Sequence, residues 1–217
     1  LMVYYYGFSL DKPPFDNVHV RRAFSAALDR QTLSDEIQQG QCLPMVHFAP
    51  PGIFGAPPID EVGVGFDPEF AQGELAEAGY AACQGFPQVT LLTFPGAGFQ
   101  HYAEYAQAQW AEHLGCSPEL IQIEQLPSLE LRAAISGPAE TRPQIWQGVW
   151  GPDYPDENNW VGDVLWCQSG MPAARGRECG ELDDLIVEAR QEPDPERRIA
   201  LYRQIEEGFF GTEGEAP

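Results

Sequence analysis

Positive charge is scarce in this chain of 217 residues. Lysine and arginine together number 12, eleven of them arginine, against 33 aspartates and glutamates, and the formal net charge is −21. Nucleic acids and anionic membrane surfaces are bound through basic patches, so the composition argues against both as partners. The acidic residues are scattered along the chain, which is typical of a highly soluble surface; attraction of cationic ligands is a smaller, additional effect.

Long apolar runs are also missing. No stretch reaches the roughly 20 residues of a transmembrane helix, and no secretory signal with a basic start and an apolar middle is found. With 43% apolar residues, however, the chain can bury the core of one large or two small domains. Because it opens on an uncapped apolar strand, we expect it to be an excised part of a longer protein.

Motifs for metal binding and redox chemistry are absent as well. None of the five cysteines stands in a Cys-x-x-Cys spacing, and the four histidines form no cluster with them, so neither a metal nor another cofactor is predicted. Disulfides formed in an oxidising compartment account better for this number of cysteines.

Two disulfides are predicted from the positions of the cysteines. Cys167 and Cys179 bracket a polar loop rich in glycine, proline and arginine, and a bridge closing it would stabilise the protein by roughly 3 kcal/mol. Cys83 and Cys116 each follow a helical pattern and precede a strand, so both would lie at the same end of a parallel sheet, which favours a second bridge. Cys42 is left without a predicted partner.

Strand and helix patterns alternate along the chain. Apolar runs predict strands at residues 1–9, 88–94, 119–125 and 145–150, and apolar residues three and four apart predict helices at 17–40, 67–79, 101–114, 128–135, 182–190 and 196–210. Residues 41–65 are rich in proline and glycine and have no period, so we expect an irregular excursion where function can reside. The alternation predicts an α/β sandwich, with a largely parallel or mixed sheet flanked by helices.

The segment after the last predicted strand is the strongest candidate for a site. Glycine and prolines end that strand at residues 151, 152 and 155. Three tryptophans, a tyrosine and two aspartates lie between residues 146 and 160, which combines flat apolar surfaces with acceptors for a cation, as in a small-ligand pocket. Ligands of α/β sheets bind beyond the carboxyl ends of strands, where this loop is expected. From composition alone, a core strand followed by an acidic turn is equally favoured.

Three segments resemble one protein family. Residues 6–9 with 13–30, residues 75–80, and residues 150–156 (WGPDYPD) resemble, in the same order, the entry to the carboxyl-terminal lobe, a later helix end and the ligand loop of the family 5 extracellular solute-binding proteins. These are the oligopeptide, dipeptide and nickel receptors of ABC importers. The matches are specific as a set, whereas each alone is a weak signal. Ser9 stands where the family usually has asparagine, and the pair Cys83 and Cys116 is not a general family feature.

The resemblance implies one lobe of a two-lobed receptor, of the type II periplasmic-binding-protein kind, that closes like a hinge around its ligand. Residues 1–217 would form the carboxyl-terminal ligand-binding lobe, and helices within 180–217 would pack toward the return to a first lobe outside this sequence. It further implies a monomeric, non-enzymatic protein that works with ABC permease subunits. The expected location is outside the cytoplasmic membrane, in the periplasm or as a cell-surface lipoprotein.

The resemblance also implies site residues. In peptide-binding members the aspartate matching Asp153 pairs with the α-ammonium of the ligand, and a loop like that between Cys167 and Cys179 is bridged. In other members, the positions matching Trp150 and Tyr154 wall the pocket. Trp146 completes the predicted ligand-binding set, although, like Trp160, it is better explained as a core or rim residue.

The physical case for Asp153 stands beside the resemblance. Next to Trp150 its carboxylate is expected to be partly desolvated, so an ammonium would gain a charge-assisted bond of roughly 2 to 5 kcal/mol. The alternative is that Asp153 caps a turn or pairs with Arg142. Asp156, Asn158 and Asn159 are predicted to be turn residues.

Three classes of function remain open on the sequence. The preferred one is a substrate-binding subunit of an importer that captures oligopeptides, or else a sugar or a metal chelate. The second is an extracellular hydrolase with paired carboxylates such as Asp153 and Asp156, although no nucleophile elbow, metal triad or phosphate loop supports it. The third is an interaction or scaffold domain. Because hinge closure needs both lobes, we expect this chain alone to bind weakly or not at all.

Overall fold

The computed structural model describes residues 2–216. Four strands form one sheet: β1 (Val3–Phe8), β2 (Val89–Thr93), β3 (Ile121–Gln125) and β4 (Ile145–Trp150), in the order β1-β4-β2-β3. Strand β2 is parallel to both β3 and β4, whereas β1 is antiparallel to β4. The predicted mixed sheet flanked by helices is confirmed.

The helices alternate with the strands and then close the chain. They are α1 (Val18–Ala26), α2 (Arg30–Thr32), α3 (Pro68–Glu77), α4 (Ala97–Leu114), α5 (Ser128–Ser136), α6 (Glu181–Gln191) and α7 (Pro195–Phe210), with single turns of 3-10 or π-helix between some of them. The excursion, residues 41–65, is irregular, as predicted. Within residues 2–216, none of the helices has both the length and the apolar composition needed to span a membrane.

The helix predicted across residues 17–40 is interrupted. Asp29 leaves helical geometry, with φ −77° and ψ 94°, and its carboxylate accepts hydrogen bonds from the backbone N–H groups of Gln31 and Thr32, both at 3.0 Å. An aspartate in this conformation is a helix N-cap, so α2 starts anew here. The apolar spacing continues across the break, which is why the sequence pattern predicted one helix.

Helices cover both faces of the sheet. On one face α1, α3 and α4 pack around Phe24, Leu91 and Trp110. On the other face a smaller cluster joins β4 to α5, and a larger one joins α6, α7 and the excursion around Trp160 and Tyr202. Packing on both faces therefore holds in place β4, the strand that leads into the candidate loop, and α6 and α7, the helices behind that loop.

Two aromatic rings lie across glycines where β1 meets β4. The strand register pairs Gly7 with Trp146 and Tyr5 with Gly148. A Cβ atom on Gly7 would fall 2.5 Å from the Trp146 ring, and one on Gly148 would overlap the Tyr5 ring. Glycine is therefore required at both positions by the close approach of a ring to the backbone.

Both predicted disulfides are present. Cys83–Cys116 joins the segments that precede β2 and β3, and Cys167–Cys179 closes the loop before α6. Cys42, in the excursion, is a free thiol.

Candidate functional site

The candidate loop leaves the sheet at the edge where it was predicted. Strand β4 ends at Trp150, and β2, which is parallel to it, ends at the same side. Strand β1 begins there, because Val3 pairs with Trp150. Residues 151–160 therefore lie beyond the carboxyl ends of the parallel strands, the position in which open α/β sheets bind ligands.

Asp153 presents a carboxylate without a protein partner. Its side chain is exposed, and within residues 2–216 it accepts no hydrogen bond and forms no ion pair, whereas its backbone N–H donates to Asn159 Oδ1 at 2.9 Å. Arg142, the alternative partner, pairs with Asp11 instead, at 2.6 Å. The expected desolvation by Trp150 is not found in this chain, so a second surface would have to exclude water from Asp153. The carboxylate is available to a cationic ligand.

Tyr154 and Trp150 are both held by hydrogen bonds. The Tyr154 hydroxyl donates to Asp163 Oδ2 and accepts from Asn158 Nδ2, both at 2.6 Å, while 38% of the residue stays exposed. Partial burial, with Asp163 beside it, raises the pKa of Tyr154 and keeps the hydroxyl neutral. The half-buried Trp150 donates from Nε1 to the carbonyl oxygen of Asn159 at 3.0 Å. The structure thus brings Trp150, Asp153 and Tyr154 together on one fixed loop.

Trp146 does not join them. It is 1% exposed and packs against Leu92, Leu131 and Ile135, on the inner side of α5. The structure therefore does not support its predicted ligand role, because a side chain enclosed by the sheet and α5 has no surface left for a ligand. Trp160 is fully buried in the cluster beneath α6 and α7, as a core residue.

Asp156 is a structural residue of the loop. Its Oδ1 accepts hydrogen bonds from Arg198 Nη2 at 2.8 Å, from the Tyr202 hydroxyl at 2.9 Å and from the backbone N–H of Asn158 at 3.0 Å. Contrary to its prediction as a turn residue, it does not lie in the turn itself but pairs with Phe54 in an isolated bridge and caps the 3-10 turn Glu157–Asn159 that follows. These bonds tie the loop to α7 and leave Asp156 engaged rather than free to work in a pair with Asp153.

Glu157 is a buried acid that no pattern in the sequence singled out. It is 0% exposed, and neither carboxylate oxygen has a hydrogen-bond partner among the described residues. Burial, together with the neighbouring carboxylates of Glu206 and Asp156, raises its pKa to about 10. Its backbone N–H donates to the Phe54 carbonyl at 2.9 Å, so the excursion is bonded to the loop at this residue. These surroundings favour the protonated, neutral form of Glu157 in the folded protein.

A cavity of about 480 Å³ lies apart from these side chains. It runs beside β1 and is lined by aromatic residues, among them Tyr4, Phe48 and Tyr102, and by residues of the excursion. Trp150, Asp153 and Tyr154 are not among its lining residues. In the part of the chain that the structure describes, no group of three or more His, Cys, Asp or Glu side chains could hold a metal ion.

The fold and the loop define the class of protein. A mixed α/β lobe whose carboxyl edge presents a fixed loop with a free carboxylate and partly exposed aromatic rings has the organisation of a ligand-binding lobe. The profile described as "Bacterial extracellular solute-binding proteins, family 5 Middle" matches residues 1–169. The chain belongs to this family.

Named relatives are longer than this chain. It is 25% identical over 226 residues to the oligopeptide-binding protein OppA of Bacillus subtilis, covering 99% of this chain and 39% of that protein. It is 28% identical over 214 residues to the dipeptide-binding protein of Escherichia coli, covering 95% and 38%. It is also 28% identical over 218 residues to heme-binding protein A of Haemophilus influenzae, covering 95% and 37%.

Solved structures share the fold. The periplasmic oligopeptide-binding protein OppAIV of Borrelia burgdorferi superposes with a TM-score of 0.83 at 24% identity, over 94% of this chain and 39% of that chain. The murein tripeptide binding protein MppA of Escherichia coli superposes with a TM-score of 0.81 at 22% identity, over 95% and 40%. The chain thus spans about two fifths of these proteins and corresponds to one lobe of their two-lobed fold.

Proposed function

We propose that this chain is the carboxyl-terminal ligand-binding lobe of an extracytoplasmic receptor that captures oligopeptides and delivers them, without chemical conversion, to the permease subunits of an ABC importer. Membership of the family supports the receptor role, and the names of the peptide-binding relatives support a peptide cargo. The receptor works as a monomer, in the periplasm or as a cell-surface lipoprotein. Helices α6 and α7 face the return of the chain to the first lobe.

The free carboxylate of Asp153 is the observation that carries this proposal. It is the anchor for the α-ammonium of a peptide, because a charge-assisted hydrogen bond needs an acceptor that no protein cation already occupies. The aromatic rings of Trp150 and Tyr154 supply apolar surface on the same loop. Closure of a second lobe over the loop would remove water from the carboxylate and strengthen the bond to roughly 2 to 5 kcal/mol.

Metal chelates are the second candidate cargo, because one relative is named a heme-binding protein. A carboxylate-dependent hydrolase is disfavoured, since Asp156, the partner that such a mechanism would require for Asp153, is already bonded to Arg198 and Tyr202.

Native mass spectrometry of the full-length protein, purified without unfolding, tests the proposal. We expect a ladder of retained peptide masses in the wild type and its loss in Asp153→Ala. Asp184→Ala, which removes an exposed carboxylate from the first turn of α6, is the matched control and should keep the ladder. A single non-peptide mass, or an empty wild-type protein, would contradict a peptide cargo.

The isolated chain should bind peptides only weakly. Asp153 is exposed to water here, and exposed ion pairs contribute about 0 to 1 kcal/mol. Titration of the 217-residue chain with the peptides found in the full-length protein checks this expectation. Micromolar affinity would contradict the need for a second lobe.

A further inference from the structure

We propose that Asn159 is a positioning residue that sets where the Asp153 carboxylate meets the ligand's ammonium, and thereby sets the selectivity for peptides with a free amino terminus. The inference rests on the proposed function. Asn159 does not contact the ligand itself, but it holds the three loop residues that are proposed to contact it: Trp150, Asp153 and Tyr154.

Three contacts connect Asn159 to the loop. Its Oδ1 accepts the Asp153 N–H at 2.9 Å, and its carbonyl oxygen accepts the Trp150 indole N–H at 3.0 Å. Its Nδ2 donates to Asp163 Oδ2 at 3.0 Å, the same oxygen that accepts the Tyr154 hydroxyl. One side chain and its backbone therefore fix Trp150 and Asp153 directly and Tyr154 through Asp163.

Because Asn159 is buried, the loss of any of these hydrogen bonds cannot be compensated. Asn159 is 0% exposed, so water cannot replace a lost partner. Its amide is oriented by its neighbours: the oxygen faces an N–H donor and the nitrogen faces a carboxylate. Turning the amide over would place donor against donor and acceptor against acceptor. Leucine offers neither group, and aspartate alone would set a second carboxylate against Asp163, so among side chains of this size asparagine satisfies both neighbours.

The consequence is a preorganised anchor. The Asp153 carboxylate has no partner within residues 2–216, so the bond from the Asp153 backbone N–H to Asn159 is what holds this residue in position. A binding group held in place before the ligand arrives loses less conformational entropy on binding. Without this bond the loop would sample several positions, and the ammonium would lose its fixed partner while the rest of the peptide kept its contacts.

Isothermal titration of the full-length protein with trialanine and with N-acetyl-trialanine tests the inference. Asn159→Ala removes two side-chain hydrogen bonds, of which the one from the Asp153 N–H bears on the anchor. We expect the variant to weaken trialanine binding about tenfold, the factor that corresponds to that one bond. Binding of N-acetyl-trialanine, which carries no ammonium, should change much less. The control Asn17→Ala removes a side-chain cap of the α1 backbone, a hydrogen bond at 2.9 Å far from the loop in sequence, and should leave the ratio of the two affinities unchanged.

A double variant guards against misfolding of Asn159→Ala. Asn159→Asp with Asp163→Asn exchanges the two groups, keeps the net charge and restores an acceptor for the Asp153 N–H and a donor between the two side chains. The double variant should keep the wild-type ratio of the affinities for trialanine and N-acetyl-trialanine.

The outcomes separate the two proposals. If Asn159→Ala weakened the binding of both peptides equally, or changed neither, the positioning role would be overturned. A changed ratio of the two affinities in the folded double variant would overturn it as well. Failure of Asp153→Ala to change the ratio, or absence of trialanine binding by the wild type, would instead refute the proposed function and the inference with it.

Discussion

Glu157 predicts an unusual dependence of stability on pH. A carboxylic acid whose pKa is raised from 4.5 to about 10 keeps its proton in the folded state across neutral pH, whereas the unfolded chain releases it. Between these two values the unfolded state binds fewer protons than the folded state. Stability must therefore fall as the pH rises through this window.

The size of the effect follows from one proton. A difference of one bound proton changes the free energy of unfolding by about 1.4 kcal/mol per pH unit, so raising the pH from 5 to 8 should cost the folded state about 4 kcal/mol at this residue. That is a large part of the usual 5 to 15 kcal/mol of a domain. The groups that face Glu157 are carboxylates, Glu206 on α7 and Asp156 in the loop, and both favour its neutral form.

Glu157→Gln removes the titrating group and nearly keeps its shape. We expect the variant to gain stability relative to the wild type as the pH rises, with the difference growing by about 1.4 kcal/mol per pH unit between pH 5 and 9. Urea denaturation of both full-length proteins at several pH values measures this difference. Glu61→Gln, at an exposed glutamate paired with Arg203, is the control and should follow the wild type. Parallel stability curves for wild type and Glu157→Gln would refute the assignment of a buried neutral acid.

Two further predictions concern the scaffold. Gly55→Ala should lower the free energy of unfolding by roughly 1 to 3 kcal/mol more than Gly52→Ala. A Cβ at Gly55 would fall 2.5 Å from the Tyr202 ring, whereas one at Gly52 meets nothing within 4 Å. Because both glycines have positive φ, equal losses in urea denaturation would contradict the packing argument. Replacing both cysteines of Cys83–Cys116 by alanine should lower the free energy of unfolding by about 4 kcal/mol, and replacing both cysteines of Cys167–Cys179 should lower it by about 3 kcal/mol, because the sequence separations are 33 and 12 residues. A larger loss for Cys167–Cys179 in the same assay would contradict the chain-entropy account.

The fold was largely predictable because its signals are local. Helix α3 begins where a helix was predicted across residues 67–79, and there the Asp67 carboxylate accepts the N–H of Phe70 at 3.0 Å. The apolar run of β4 and the glycine and prolines after it predicted both a strand and its end. The break at Asp29 escaped prediction because the apolar spacing continues through it, and only the backbone conformation reveals the new cap.

The site was predicted in position but not in organisation. The loop's composition and the resemblance singled out Asp153 and Tyr154, although Asp153 was expected to be partly desolvated and is exposed in this chain. Neither signal pointed to burial of Asn159 and Glu157, since two asparagines and a glutamate in a row are typical of a solvated turn. Glu157 is buried because the excursion and α7 pack onto the loop, contacts with residues about 50 to 100 positions away that no local pattern contains. The hydrogen bonds of Asn159 go to residues only four to nine positions away, but they depend on the folded shape of the loop.

The two rings that lie across glycines restrict which sequences this lobe can adopt over evolutionary time. Trp146 can keep its size only while residue 7 has no side chain, and Tyr5 depends in the same way on residue 148. Homologues that carry a larger residue at either glycine should therefore carry a smaller one opposite, so that each pair changes together. Because Trp146 and Gly148 lie in the strand that ends at Trp150, such paired exchanges would change the packing of the interior without moving the end of the strand from which the candidate loop leaves.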